Sequence, residues 1–333
     1  MITPAFGLIA TERVLPKLAL DFTTATLDPR VTFTRTTGAA NPATYIDSSG
    51  VITAATNNQP RFDYDPSTLV CKGLLIEESR TNSLLNTDLL STQIVVVTAA
   101  VRTLSFYGTG VVTLSGTHTA VVTGTGAYPT RTTHSFTPTA GALTLTVTGT
   151  VQYAQLEAGA FATSYIPTTA AALTRNADVA TMTGTNFSDW YNQTEGTFAV
   201  QASATNTSGS PRYVGASDGT VGNRIVLLTN SNTQTQNIVS LSGSTQANIL
   251  CPTTDTRVAT KVCLAYKVND FAASTNAGTV VTDTAGAIPT TTTLYIGALE
   301  NGTTATNMLN GHVKNIRYYP MRLLNAELQA FSK

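Results

Sequence analysis

The chain has 333 residues, with 19 Lys and Arg balanced by 19 Asp and Glu, and charged residues form 11% of it against 42% hydrophobic. An average soluble domain is about 25% charged, so the chain has the apolar material to fold under a polar, largely uncharged surface of Thr, Ser, Asn and Gly. A formal net charge of zero removes the case for nucleic acid or anionic lipid as a partner, since each requires a basic face.

The length allows two domains of about 150 residues each. Thr recurs as the alternate residue of short runs such as Leu143-Thr-Leu-Thr-Val-Thr148. β-Branched side chains suit a pleated strand and lose χ1 freedom in a helix, so the expected fold class is all-β. Residues 1–20 contain Pro4, Glu12 and Pro16 and lack both a basic start and a continuous apolar core, so no secretory leader is expected. No stretch approaches the ~20 apolar residues of a membrane span. The expectation is a soluble product made in a cytoplasm. Cys71, Cys251 and Cys263 form an odd set with no C-x-x-C, which supports neither a disulfide framework nor a zinc site and leaves them as small buried hydrophobes.

In chain order, residues 1–88 are irregular. Turn signals recur at Asp28-Pro29, Gly38, Asn41-Pro42, Ser48-Ser49-Gly50, Asn57-Asn58 and Asp65-Pro66, and the β-like pieces between them, 31–34 and 43–46, are too short to hold a sheet alone. This segment needs a partner surface. From 89 to 158 the pattern becomes regular alternation, with strands expected at 93–97, 102–107, 111–114, 120–122, 132–136, 143–147 and 151–156. Gly and Pro turns separate them at sandwich spacing. The reading is a small jelly roll, which at this size should lean on a neighbour. Residues 159–180 read as a linker, with a helical turn at the Ala run as the alternative. From 181 to 333 a larger β region follows, with strands expected at 196–202, 212–215, 224–228, 238–241, 257–267, 278–282, 292–296 and 311–319. Asn325 is placed as the cap of a helical turn over 326–331.

Three phrases carry a resemblance. The first, RFDYDPSTLVCKGLLIEESRTNSLL, occupies 61–85, and the pattern begins upstream at Phe33-Thr-Arg35. The second, VQYAQLEAGAFATSYIPTTAAALTRNAD, occupies 151–178, and the third, LNGHVKNIRYYPMRLLNAELQAF, occupies 309–331. Together they resemble virion proteins of tailed bacteriophages, the fibre, spike and decoration components built from carbohydrate-binding-like β-sandwiches. The closing strand and helix are similar to laminin-G-like and pentraxin-like lectin domains. The resemblance implies an N-terminal virion-attachment segment, a jelly roll similar to carbohydrate-binding modules, and an outward concanavalin-like sandwich. It further implies a homotrimer on the particle, with other virion proteins and a host-surface glycan as partners.

Residues that could carry a reaction are sparse. Glycoside hydrolysis needs two carboxyl groups about 5 to 9.5 Å apart, which on one strand face means E-x-D or E-x-E spacing. Glu157, Glu195, Glu300 and Glu327 are each isolated, and Glu77-Glu78 point to opposite faces if extended. His118, His134 and His312 lie in no nucleophile motif. No enzyme is expected and no cofactor is implied. Calcium would need clustered oxygen ligands. The loop from Asp218 to Asn223 and the pair Asn269-Asp270 read instead as Asx turns, so no metal is assigned. Sugar contact would rest on aromatic rings with polar neighbours, and the candidates are Trp190, Tyr191, Tyr213, Asp218, Tyr107 and Tyr128. Trp190 has a second reading as a plug of the sandwich end, since a ring that size is stabilised by burial. Two rival functions stay open, a purely structural capsid or tail protein and a polysaccharide depolymerase.

Overall fold

The computed structural model describes residues 15–35, 43–206, 209–253, 255–298 and 307–333. The expected turns at Gly38 and Asn41-Pro42, the carboxylate of Glu300 and residues 1–14 lie outside the described residues. The all-β expectation is met: helices are confined to short turns such as Phe22–Thr24, Thr185–Ser188 and Asn325–Phe331. No helix among the described residues is long and apolar enough to cross a membrane.

Two large antiparallel sheets face each other. One runs Thr32–Thr34, Val179–Thr183, Thr293–Ile296, Arg212–Ser217, Arg224–Ser231, Gln234–Leu241 and Ser244–Pro252. The other runs Val281–Asp283, Asp270–Thr275, Thr260–Lys267, Glu195–Ala204, Gly311–Tyr319, Cys71–Ile76 and Phe62–Tyr64, with Leu18–Asp21 added against Gly311–Tyr319. Their inner faces share one core, in which Phe198, Val200 and Leu264 of one sheet meet Val214, Leu227, Val239 and Ile249 of the other. Ser244–Pro252, not anticipated from the sequence, shows why polarity misleads here: Ala247, Ile249 and Cys251 alternate inward while Ser, Thr, Gln and Asn face outward. The helix Asn325–Phe331 covers the outer face of the second sheet through Leu328, against Cys263, Ala265 and Ala272. Asn325 is its first residue rather than its cap, and Glu327 accepts the Leu324 N–H at 2.7 Å.

A second, smaller sandwich lies at 93–158. Ala120–Thr123, Val111–Gly116, Gly141–Thr148 and Gln93–Val97 form one sheet, and Thr132–Phe136, Arg102–Tyr107 and Gln152–Ala158 form the other. Leu104, Phe106, Val112, Leu114, Leu143, Leu145 and Leu156 fill the space between them.

Residues 1–88 do not stand apart as a separate unit in the way the sequence reading divided the chain. Their strands are too short to pair with one another stably, and the partner surface is the chain's own large sandwich. Thr32–Thr34 pairs with Val179–Thr183. Gly311–Tyr319 holds two N-terminal strands along one edge, Leu74 to Ile76 against its first half and Leu18 to Asp21 against its second. The stretch read as a linker is also pinned, because Leu173–Arg175 is extended and pairs with Arg80–Asn82. Cys251 and Cys263 are buried as expected while Cys71 is only half-buried. Burial pushes the Cys251 thiol up to about 11 and the Cys263 thiol up to about 12.

A chain shortened to residues 83–333 loses the N-terminal strands of both large sheets. It is expected to show no cooperative thermal transition by circular dichroism, whereas the full chain melts cooperatively. A sharp melt of the shortened chain would contradict this pairing.

Candidate functional site at the seam between the sandwiches

Of the six sugar-contact candidates, four are interior: Trp190, Tyr191, Tyr213 and Tyr107 are buried. The first three offer no ring face to a ligand, and for Trp190 the plug reading is the one that fits. The short helix Thr185–Ser188 feeds these rings into the end of the sandwich, where burying them releases more water than exposing them could recover in one stacking contact. Trp190 stands edge-on to Phe187 and Tyr318, each at 5.0 Å, and its Nε1–H donates to the Asn186 carbonyl at 2.7 Å. Tyr191 stacks on Phe187 at 4.5 Å. Asp218 closes an Asx turn, accepting the Thr220 N–H at 2.9 Å and the Asn223 amide at 2.8 Å. Two pairs are brought together: Trp190 and Tyr191 inside the core, with ring centroids 5.7 Å apart, and Tyr107 and Tyr128, 5.2 Å apart. Tyr128 donates its hydroxyl to the Gly50 carbonyl at 2.5 Å, which ties the jelly roll to the N-terminal segment.

The seam beside those two tyrosines is organised by a buried ionic cluster that the candidate list did not include. Arg35, Arg61, Arg175 and Asp178 are fully buried and Glu77 nearly so. Asp178 accepts from Arg35 at 2.9 Å through Oδ1, and from Arg61 and the Glu77 N–H through Oδ2. Glu77 accepts from Arg61 at 2.8 Å, Arg175 at 2.6 Å and the Ser164 N–H at 2.7 Å. The terminal guanidinium nitrogens also reach backbone carbonyls of Thr44, Thr56, Gln59 and Glu78, while the Nε–H groups of Arg35, Arg61 and Arg175 are buried without an acceptor among the described residues. Burial alone would raise the Glu77 carboxyl, but the Arg175 and Arg61 charges outweigh it and hold the group far below the usual carboxylate range.

A second polar layer continues into the jelly roll. Asn82 uses its whole amide: it donates to the carbonyls of Ala154 and Ile166 and accepts from the N–H groups of Leu84 and Leu156. Gln155 bridges the Glu157 carboxylate and the Ile166 N–H, each at 2.7 Å, and Thr163 closes on Glu157 at the same distance. These residues come from the first two sequence phrases, 61–85 and 151–178. Their regularity in sequence thus has a structural cause, since each polar atom buried without a partner would cost about 1–3 kcal/mol.

Beside the cluster lies a cavity of about 160 Å³ walled by Asp63, Lys72, Glu77, Tyr107, Arg131 and His312, with Thr44, Tyr45 and Tyr165. Asp63 accepts from Lys72 at 2.6 Å, His312 Nε2 at 2.9 Å and the Ile46 N–H at 2.8 Å. Burial works to raise Asp63, but His312 and Lys72 outweigh it and hold the carboxyl at about 2. Burial also lowers the His312 pKa against the pull of Asp63. The neutral ring therefore donates its Nε2–H to the ionised carboxylate. Arg131 crosses from the jelly roll, donating to the Thr163 carbonyl at 2.6 Å and the Ser105 hydroxyl at 2.7 Å.

Asp63 and Glu77 share this wall, so the site has two carboxyl groups after all. Neither is set up to deliver a proton, because a general acid needs a pKa raised toward neutrality and both are held ionised. The cavity also falls below the 300–1,000 Å³ of a typical ligand pocket, enough for a few waters or one small solute. Among the described residues, no three His, Cys, Asp or Glu side chains converge as a metal site. A sequence signal for Asp63 did exist: a charged residue in a strand, followed nine residues later by a lysine across a hairpin. His312 pairs with it over a separation of 249 residues, which no local pattern can disclose.

The sequence matches no family model and no curated protein. Parts of solved structures are similar. The CBM40 of Ruminococcus gnavus IT-sialidase bound to alpha2,3 sialyllactose matches at 18% identity over 44% of this chain and 86% of its own, with a TM-score of 0.38. NanB sialidase from Streptococcus pneumoniae matches at 12% identity over 45% of this chain and 26% of its own, TM-score 0.38. A heptameric SAP-like pentraxin from Limulus polyphemus matches at 13% identity over 42% and 70%, TM-score 0.35. The chain spans about a quarter of the NanB sialidase. At such identities and TM-scores these likenesses carry no argument about ligand, activity or ancestry.

Removing one partner of a buried ion pair costs about 3–5 kcal/mol. Asp178→Asn is therefore expected to lower the unfolding free energy from urea titration by that amount with an unchanged slope, while Asp218→Asn on its exposed turn stays within about 0.5 kcal/mol. Equal effects of the two would refute a structural role for the cluster.

Acid should unfold the protein in a defined window. Asp63 and Glu77 have folded pKa values below their free values of 3.8 and 4.5. Their stabilisation is complete above about pH 5 and is lost as the pH falls through 4 toward 2, with Asp63 contributing on the order of 2 kcal/mol. His312, lowered from 6.5, adds a loss of the same sign that begins below that pH. Tm followed from pH 7 to 3 should fall, and Asp63→Asn should flatten the limb below pH 4. A level Tm over that range would be incompatible with this account.

Proposed function

We propose that the chain is a non-enzymatic surface component of a tailed-bacteriophage particle, of fibre, spike or decoration type, that adheres to host-surface glycan through its sandwiches. One observation carries the reading. The phrases that resemble virion proteins are not scattered loops: Arg61, Glu77 and Asn82 from the first and Gln155, Arg175 and Asp178 from the second interlock at the seam. What is shared is then a device that couples a small jelly roll to a larger sandwich. The ionised state of both carboxyl groups in the seam cavity argues against a depolymerase.

Adhesion on such a particle works by multiplication. A site near the millimolar level is worth only about 4 kcal/mol, but linked copies raise avidity about 10²- to 10⁴-fold without new contacts. A homotrimer docked to other virion proteins would supply those copies. The second reading, a purely structural capsid or tail protein, is favoured by the burial of Trp190, Tyr191 and Tyr213.

Immunogold labelling of particles produced from the genome that encodes the chain is expected to decorate the virion. On a glycan array the purified chain, displayed in multiple copies, is expected to retain host-surface oligosaccharides and to release no reducing sugar. Unlabelled particles would refute the virion assignment, and labelled particles with a silent array would leave the structural reading in its place.

A further inference from the structure

The seam opens on its outer side into a second depression, a groove of about 510 Å³, and this one lies within the size range of ligand pockets. One wall comes from the jelly-roll exit, Ala160 and Phe161. The opposite wall comes from the large sandwich: Thr205 and Asn206 after the strand Glu195–Ala204, Asn230 and Ser231 at the end of the strand Arg224–Ser231 with Asn232 after it, and Arg257. The geometry points to a binding site for a neutral oligosaccharide in this groove, an assignment that rests on the adhesion reading above and gives it a location.

Phe161 is a prepared platform. The guanidinium carbon of Arg80 sits 4.7 Å from its ring centroid and covers one face. Arg80 is itself buried and held by Glu78 at 2.5 Å. Gly159 completes the fit: its φ is +112°, and a Cβ there would come within 2.0 Å of the same guanidinium. The ring is thus clamped from behind, and the surface it turns to the groove is the one a sugar can meet. A fixed ring loses little entropy on stacking, and the apolar C–H face of a pyranose is the complement of such a platform.

The facing wall specifies a neutral ligand. Thr205, Ser231 and Asn230 bring uncharged polar groups; the Asn230 amide already donates to Gln234 at 2.8 Å, so its exposed oxygen is the group that can accept from a sugar hydroxyl. The cation in the wall, Arg257, already has Asp255 in a two-point contact at 2.9 and 3.0 Å. It can donate a hydrogen bond but brings no uncompensated charge for a carboxylate or phosphate. Because the two walls belong to different sandwiches, the buried cluster that sets their spacing also sets the width of the site.

The test uses the full chain on a panel of neutral hexose and N-acetylhexosamine oligosaccharides beside sialylated and uronic-acid ones, followed by titration with the strongest neutral ligand. Phe161→Ala is expected to weaken that binding about tenfold, the loss of one stacked ring. Asn230→Trp, exposed at the end of the strand Arg224–Ser231, should abolish it by filling the groove from the other side, with a cooperative melt retained in both. Retention of a glycan that neither substitution weakens, or retention of acidic glycans alone, overturns this site and leaves adhesion standing. A wild-type chain that retains nothing overturns the adhesion reading and this site with it.

Discussion

The arrangement of this molecule depends on one carboxylate, Asp178, placed between two fully buried guanidinium groups, Arg35 and Arg61. Taking such ions from water costs several kcal/mol each, and their attraction offsets this only when geometry is good and the remaining hydrogens find acceptors. Here backbone carbonyls from 44–59 and Glu78 take the hydrogens of the terminal nitrogens, and the three Nε–H groups left without acceptors among the described residues are a cost the cluster carries. A buried cluster of this kind contributes less to net stability than to selecting one geometry, because shifting any segment strands a charge. Three separate parts of the chain are thereby held in one register, and the cavity and the groove on either side inherit their shapes from it.

Much of the fold could be read from the sequence because alternation is a local signal. The jelly-roll strands are legible in the Thr-rich runs, and the last strand and helix in the closing phrase. The allegiance of residues 1–88 was not legible. Strands of three or four residues announce that they need a partner but not which one, and Leu18–Asp21 finds its partner at Asn315 to Tyr318. The aromatic candidates failed for a related reason. A Trp or Tyr beside Asp and Asn reads alike whether it plugs a core or faces a sugar, and the difference lies in Tyr318, distant in sequence, closing over Trp190 and Tyr191. The ionic cluster was half visible: its residues stand in the quoted phrases, yet charged letters in irregular sequence give no sign that they are interior.

Low charge acquires a sharper meaning once burial is known. Ten charged side chains, from Arg35 to Arg212, are buried among the described residues, so the surface is poorer in charge than the composition states. The charges that remain outside often neutralise one another two residues apart, as Arg30 with Asp28 and Arg257 with Asp255. A surface of hydroxyls and amides repels neither its own copies nor a carbohydrate coat, which suits a component that works in many copies.

The shared edge of Gly311–Tyr319 also governs how the molecule must be made. The Glu78 N–H waits for the Asn310 side chain across 232 residues. At ribosomal speeds of about 5–20 residues per second the gap lasts roughly ten to fifty seconds. Through that interval Leu18–Asp21 and Leu74 to Ile76 lack the strand that they share as a partner. The large sandwich therefore closes late, and the cell has to shelter an unfinished edge until Gly311–Tyr319 has left the tunnel.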